Sequence, residues 1–251
     1  MKVLIHNSAE SAVACVAGLI AARLQRQPDA VLGLATGGTM EAVYAQLIAA
    51  YRRGEVSFAQ ARSFNLDEYV GVPPDHPASY WHYMRAQLFD HVNMRPGAAQ
   101  LPRGDAPNPE AEAQAYEQAI KDAGDIGLQL LGLGANGHIG FNEPTSSLAS
   151  LTRVKTLTRS TREANARFFD DPADVPRLAI TMGIGTILRA DEIVLLAHGA
   201  AKADAARAMI EGPLSAACPA SALQLHRKAT VVLDQAAASK LALRDYYEEV
   251  H

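Results

Sequence analysis

The stretch Leu130-Leu-Gly-Leu-Gly-Ala-Asn-Gly-His-Ile-Gly-Phe-Asn-Glu-Pro144 decides how this 251-residue chain is interpreted. It continues an apolar run that starts at Ile126, a pattern typical of a strand buried on both faces of a sheet. Glycines then convert the run into a loop that carries Asn136, His138 and Glu143. The pattern predicts a functional loop at the end of a buried strand, because glycine lets the backbone approach a ligand closely.

The first part of this loop also matches the dinucleotide-binding pattern G-x-G-x-x-G, from Gly132 to Gly137. That pattern is informative only if a helix follows at once and an acidic residue ends the next strand. Gly140 and Pro144 argue against such a helix. The next strand-like run, Arg153 to Leu157, is followed by threonine and arginine rather than by an acid. We therefore do not expect a nicotinamide cofactor.

Composition indicates an ordinary soluble globular protein, with 49% hydrophobic and 20% charged residues. The net charge of −4 and the absence of blocks of like charge argue against a nucleic-acid partner. Cys15 and Cys218 form no C-x-x-C motif, which favours reduced structural thiols. The segment Met1 to Ile5 looks like a short strand rather than a signal peptide, and no apolar run is long enough to span a membrane. The expected location is the cytoplasm.

Strand-like and helix-like segments alternate along the chain, with no linker or repeat between them. This order predicts an α/β fold: a doubly wound, Rossmann-like, largely parallel sheet with helices on both faces, in a single domain over residues 1–251. The predicted strands are Val3–Ile5, Val31–Ala35, Arg62–Leu66, Ile126–Leu133, Val154–Thr158, Leu178–Thr181, Ile193–Ala197 and Thr230–Leu233. The predicted helices include Met40–Arg53, Tyr80–His91, Pro109–Ala123, Thr161–Phe169 and Ala236–Glu249.

The strand Val31–Ala35 runs directly into the turn Thr36-Gly37-Gly38-Thr39, and a helix is predicted next. Free N–H groups and the helix dipole favour an anion at such a helix start, and the two threonine hydroxyls add donors. The G-x-x-x-x-G-K pattern of a Walker A loop is absent, so a phosphate monoester fits better than a nucleoside triphosphate. The alternative is a plain turn between strand and helix.

Asp67 and Lys202 likewise follow predicted strands, and the carboxyl ends of parallel strands line one edge of a sheet. With the turn at residues 36–39 and the loop at residues 134–143, they predict proton-transfer chemistry on a phosphorylated small molecule. Glu143 can fix the tautomer of His138, although a single histidine is more often structural. A metal site lacks sufficient ligands, and the G-x-S-x-G motif of a serine hydrolase is absent.

Three segments resemble the glucosamine-6-phosphate deaminase family closely, and the resemblance runs over nearly the whole chain. They are Phe64-Asn-Leu-Asp-Glu-Tyr-Val-Gly71, Gly134-Ala-Asn-Gly-His-Ile-Gly-Phe-Asn-Glu-Pro144 and Ser147-Leu-Ala-Ser-Leu-Thr-Arg-Val-Lys-Thr156. The resemblance implies conversion of glucosamine 6-phosphate to fructose 6-phosphate and ammonia in amino-sugar catabolism, without metal or nucleotide. It also implies that Asp67 moves a proton between C2 and C1 and that His138 opens the sugar ring.

The resemblance assigns Glu143 and Asn136 to support and orient His138. It assigns the phosphate to the turn Thr36, Gly37, Gly38 and Thr39, together with Arg167 and Lys202. Some members of the family have aspartate where this chain has Asn136. An amide cannot carry charge but can still orient His138 by hydrogen bonding, so we expect activity with an altered pH dependence of ring opening.

Allosteric members of the family bind N-acetylglucosamine 6-phosphate between subunits, and the matching positions here are Ser146, Arg153, Lys155 and Thr156. The alternative is that Arg153 and Lys155 form a solvated basic edge, and the sequence leaves monomer and homo-oligomer undecided. Two other functions remain open. A sugar-lactone phosphate hydrolase would use the same fold but would not release ammonia. A sugar-phosphate-sensing module would need a DNA-binding segment, and no basic helix that could serve as one precedes the first strand.

Overall fold

The alternating order of strands and helices is confirmed in a computed structural model, which describes residues 1–166, 169, 171 and 174–250. The strands among these residues are β1 (Lys2–His6), β2 (Val31–Leu34), β3 (Arg62–Asn65), β4 (Asp67–Tyr69), β5 (Ala99–Gln100), β6 (Leu128–Gly132), β7 (Arg153–Thr156), β8 (Leu178–Thr181), β9 (Glu192–Ala197) and β10 (Ala229–Asp234). The helices are α1 (Ala9–Arg26), α2 (Gly38–Arg52), α3 (Tyr80–Gln87), α4 (Pro109–Asp122), α5 (Arg159–Asn165), α6 (Ile184–Leu188), α7 (Ala203–Ile210) and α8 (Arg244–Val250). Short 3-10 turns occupy Phe89–His91, Ala200–Lys202 and Pro219–Leu225.

Seven strands form one parallel sheet in the order β1-β10-β9-β6-β2-β3-β5. From β2 the chain proceeds outward through β3 to β5, and from β6 it proceeds in the opposite direction through β9 to β10. The strand order therefore reverses between β2 and β6. In open α/β sheets, ligands bind outside the carboxyl ends of the strands at this switch point. The turn after β2 and the glycine loop after β6 flank it.

The central strands are buried on both faces, as the apolar runs predict. All four residues of β2 are buried, and Leu128 to Leu131 of β6 are buried as well. Because successive strand residues point to opposite faces, helices must cover both sides of the sheet. On one helix, α1, the residues at helical spacing from Val13 to Leu24 face the core, with Val16 and Ile20 fully buried.

A second sheet was not predicted from the sequence. Strands β4, β8 and β7 form an antiparallel three-stranded sheet, in which Asp67 pairs with Thr181 and Arg153 also pairs with Thr181. The predicted third strand therefore ends one residue early, at Asn65, and Asp67 begins a strand of its own. A three-residue strand contains too few positions to show an alternating pattern, so its sequence gives no signal.

Several predicted boundaries were wrong. The C-terminal helix starts at Arg244 rather than at Ala236, because residues 235–243 form turns. The helix predicted to run from Tyr80 to His91 breaks after Gln87. Helix α5 begins two residues before the predicted Thr161 and ends at Asn165. The helix α6 was not predicted.

Candidate active site

A cleft of about 630 Å³ lies at the carboxyl edge of the main sheet, at the switch point between β2 and β6. It brings together the segments that the sequence predicted would converge, although they are distant along the chain. The predicted site residues that line it are Thr36, Gly37, Gly38, Thr39, Asp67, Asn136, His138 and Lys202. Glu143 lies behind this wall, and Arg167 lies outside the described residues.

One end of the cleft is built to hold an anion. Gly37 is the N-cap of α2, so the first N–H groups of that helix have no partner within the helix. Tyr83 donates a hydrogen bond to the carbonyl of Gly37 at 2.9 Å, which fixes the turn. Lys202 approaches from the 3-10 turn after β9, and burial lowers the pKa of its amine. A helix start and a lysine together suit a phosphate group.

Asp67 provides a buried carboxyl group beside this anion cradle. Burial raises its pKa to about 8, and the negative charge of Glu68 adds to the effect. Hydrogen bonds from the backbone of Phe141 and the hydroxyl of Thr181 partly offset this increase, because they lower the pKa of Asp67. Gly140, with φ of 53°, lies so near that a Cβ there would be 3.2 Å from Asp67 Oδ2. A carboxyl group with a pKa near neutrality can both accept and return a proton.

The glycine loop is an irregular segment rather than the start of a helix. The ring of His138 lies directly over Gly134, where an added Cβ would come within 2.4 Å of three ring atoms. The backbone N–H of Gly134 donates to the carbonyl of His138 at 2.9 Å. The side chain of Asn142 donates to the carbonyls of Ile139 at 3.0 Å and Met182 at 2.7 Å. These contacts hold the imidazole at the wall of the cleft.

Asn136 forms hydrogen bonds with Glu143 and with the backbone of His138. Its Nδ2 donates to Glu143 Oε2 at 2.7 Å, and its Oδ1 accepts from the backbone N–H of His138 at 3.2 Å. His138 Nδ1 lies 3.6 Å from Glu143 Oε2, which is close enough for an ion pair but too long for a hydrogen bond. Asn136 thus contacts both Glu143 and the backbone of His138, and its role in orienting the ring stays a prediction.

Two threonines that the sequence analysis missed complete the surroundings of Glu143. The hydroxyls of Thr161 and Thr158, at the start of α5, both donate to Glu143 Oε1. Burial alone would raise the pKa of Glu143, but the neighbouring His138 and the donors Thr161 and Asn136 outweigh it and lower the pKa to about 2. Glu143 is therefore charged throughout the neutral pH range, in contrast to Asp67.

Tyr80 was also missed, although it lines the cleft as the first residue of α3. Its hydroxyl donates to the hydroxyl of Tyr69 at 3.2 Å, and its ring stacks on Phe141 with the centroids 6.0 Å apart. No local pattern marks such a residue, because its role depends on where α3 packs.

Arg153 and Lys155, the two basic residues of the predicted allosteric group, are both only partly exposed. Arg153 is partly buried, and its Nη1 donates to Asn142 Oδ1 at 2.9 Å. Ser146 is buried, whereas Lys155 is partly exposed and Thr156 is exposed on β7. Arg153 thus contacts the glycine loop itself, and regulation through this group stays a prediction.

The described residues contain neither a metal-binding cluster nor a membrane span. No group of three or more His, Cys, Asp or Glu side chains is arranged to hold a metal ion in the described part of the chain. None of the described helices combines the length and the hydrophobicity needed to cross a bilayer.

Known proteins resemble this chain over nearly its full length. A family profile described as glucosamine-6-phosphate isomerases/6-phosphogluconolactonase matches residues 5–232. A glucosamine-6-phosphate deaminase from Hahella chejuensis is 57% identical over 250 residues, which cover 100% of this chain and 95% of that protein. The deaminase from Streptomyces coelicolor is 52% identical over 252 residues, which cover 100% of this chain and 97% of that protein.

Solved structures agree with the sequence comparisons. The structure of a monomeric glucosamine-6-phosphate deaminase has a TM-score of 0.93 at 47% identity and covers 96% of this chain and 100% of that one. The 6-phosphogluconolactonase from Trypanosoma brucei has a TM-score of 0.74 at 20% identity over 96% of this chain and 98% of that one, which shows a common fold alone. Because the profile covers most of the chain and relatives exceed half identity, the chain belongs to the family of glucosamine-6-phosphate isomerases and 6-phosphogluconolactonases.

Proposed function

We propose that this protein is a glucosamine-6-phosphate deaminase, which converts glucosamine 6-phosphate to fructose 6-phosphate and ammonia in amino-sugar catabolism. The supporting observation is one cleft that places the carboxyl group of Asp67 and the ring of His138 beside an anion cradle, with the carboxylate of Glu143 behind its wall. Asp67 has a pKa raised to about 8, and Glu143, with a pKa lowered to about 2, lies 3.6 Å from His138. Titratable groups whose environments separate their pKa values are typical of acid–base enzymes.

The phosphate would bind at the turn Thr36–Thr39 with Lys202, and we assign Arg167 to the same group on sequence resemblance. This end of the cleft would bind the phosphate group, which does not take part in the reaction. The sugar carbons then extend toward Asp67 and His138, which line the same cleft. Binding energy at the phosphate thereby orients the reacting carbons.

His138 would open the pyranose ring, taking the proton of the C1 hydroxyl and returning a proton to the ring oxygen at C5. Glu143 stabilises the imidazolium that forms between these transfers. Asp67 would then remove the proton from C2 of the open aldehyde and deliver it to C1. The amino group gives up one N–H proton as the C1 oxygen gains one, so C1 becomes CH2OH and an imine remains at C2. Water adds to this carbon, and ammonia leaves as the ketone of fructose 6-phosphate forms.

The assay that tests this function measures ammonia and fructose 6-phosphate after glucosamine 6-phosphate is added to the purified protein. We expect the two products in equal amounts. Hydrolysis of 6-phosphogluconolactone is measured in parallel, because the family also contains lactonases. Rapid lactone hydrolysis without ammonia release from the amino sugar would contradict the proposal.

Replacement of Asn136 by aspartate tests how the amide tunes His138. A second carboxylate would face Glu143 at the position where Nδ2 now donates at 2.7 Å. The added negative charge stabilises the imidazolium that forms during ring opening, so we expect the pH dependence of ring opening to change. Asn136→Asp should stay active, with a shifted pH–rate profile for ring opening. An unchanged profile would show that this position does not tune His138.

A further inference from the structure

Asp67 and Glu68 are consecutive residues of β4 and lie back to back across it. Side chains on adjacent strand residues point to opposite faces. Asp67 lines the active-site cleft, whereas Glu68 lines a separate cavity of about 480 Å³ with Trp81, Gln100 and Tyr116 among its walls. Glu68 is only 2% exposed, and the proposed mechanism does not use it.

Glu68 accepts three backbone hydrogen bonds. The donors are the N–H groups of Tyr69 at 2.9 Å, Tyr80 at 3.0 Å and Trp81 at 3.0 Å. Tyr80 and Trp81 open α3, where N–H groups have no partner within the helix. Among the described residues no lysine, arginine or histidine forms an ion pair with Glu68, and these N–H groups only partly offset the burial that raises the pKa of Glu68 to about 7, so Glu68 carries its negative charge above that pH.

We propose that Glu68 is a positioning residue that holds the start of α3 against β4 and, by its charge, keeps the proton on Asp67 more tightly bound. This inference rests on the proposed function, in which Asp67 moves the substrate proton. The hydrogen bond to the N–H of Tyr80 fixes the residue whose ring forms part of the cleft wall. Glu68 is the sequence neighbour of Asp67 on β4, and its negative charge acts across the strand to raise the pKa of the carboxyl group that must accept and return a proton.

The other titratable groups that face Asp67 cannot replace this charge. Tyr69, Tyr80 and Tyr116 lie near it, but burial raises the pKa of each phenol, so all three are neutral at the working pH. His138 and Lys202 line the same cleft, and a positive charge on either would favour loss of the proton from Asp67. The negative charge of Glu68 has the opposite effect: together with burial, it favours retention of the proton on Asp67.

The decisive comparison is between Glu68→Gln and Ser79→Ala. Ser79 is the N-cap of α3 and accepts from the N–H of His82 at 2.9 Å, so its loss weakens the same helix start without changing a charge. We expect Glu68→Gln to move the acid limb of the kcat/KM profile down by about one pH unit and Ser79→Ala to leave it in place. Equal shifts in both variants, or none in Glu68→Gln, would overturn the proposal.

A titration followed by carboxyl ¹³C NMR separates this inference from the proposed function. In the unmodified protein, Asp67 and Glu68 should each titrate in two steps, because interacting carboxyl groups share their protonation steps. In Glu68→Gln the midpoint for Asp67 should fall. A single independent transition for Asp67 in the unmodified protein would overturn the proposal even if the variant does not fold. If the protein releases no ammonia, the proposed function fails and this titration still decides the role of Glu68.

Discussion

Asp67→Asn is expected to make the protein more stable above pH 7 while turnover falls by about 10³-fold. The carboxyl group is 5% exposed, and burial raises its pKa to about 8. An amide of the same shape avoids the cost of a buried charge and can still accept from Phe141 and Thr181. It cannot take a proton from C2 of the substrate, so substrate should bind but not react.

The pH dependence of this stability gain follows from the direction of the pKa shift. Below about pH 3.8, the ordinary value, Asp67 is protonated in the folded and unfolded states, so the substitution changes little. As the pH rises from there to about 8, the unfolded chain ionises freely while the folded protein retains the proton. The unmodified protein loses stability over this window, on the order of a few kcal/mol, and the variant does not.

Thermal denaturation at pH 4, 6 and 8.5, combined with the ammonia assay, measures both effects. Asp204→Asn is the matched control, because that carboxylate is exposed and pairs with Lys240 at 2.7 Å. It should show neither a pH-dependent gain in stability nor a loss of turnover. Full activity in Asp67→Asn would contradict the assigned role of this carboxyl group in proton transfer.

The main sheet and the position of the cleft could be predicted because their signals are local. Buried strands of a parallel sheet are apolar throughout, and the turn at residues 36–39 and the loop at residues 134–143 directly follow such strands. The carboxyl ends of parallel strands meet at one edge, so segments that are distant along the chain converge there. The sequence pattern alone therefore predicts that Asp67, His138 and Lys202 are neighbours.

The second layer of the site could not be predicted, because it depends on tertiary packing. Thr161 contacts Glu143 across 18 positions of sequence, and Glu68 contacts the start of α3 across 12 and 13. A threonine near a helix start, such as Thr161, is ordinarily interpreted as a local helix cap. An acidic residue beside Asp67, such as Glu68, is ordinarily interpreted as part of the same strand end. Only the antiparallel pairing of β4 with β8 turns Glu68 away from the cleft and toward α3.

Glu143→Gln should reduce kcat by about 10²-fold, chiefly by slowing ring opening. Glu143 is charged at every working pH because its pKa is lowered to about 2, and it lies 3.6 Å from Nδ1 of His138. A neutral amide removes the anion that stabilises the imidazolium, so the imidazolium should form less readily during ring opening. The amide also presents N–H groups to Asn136 or Thr161, which are themselves donors.

Stability should change in the opposite direction to that of Asp67→Asn. A carboxylate with a lowered pKa stabilises the fold above its ordinary pKa of 4.5, and this contribution is lost as the pH falls through about 2. Glu143→Gln should therefore be less stable than the unmodified protein at pH 7, and the difference should shrink in acid. The matched control is Glu163→Gln on α5, an exposed glutamate that pairs with Arg159.

The two steps of the reaction can be separated by following the anomers of glucosamine 6-phosphate by NMR during turnover. If Glu143 acts on His138, the variant should consume the cyclic anomers slowly. Asp67→Asn should instead retain the native rate of ring opening and fail at the proton transfer. Native ring opening in Glu143→Gln would show that Nδ1 of His138 needs no anion, despite the three groups that hold Glu143 beside it.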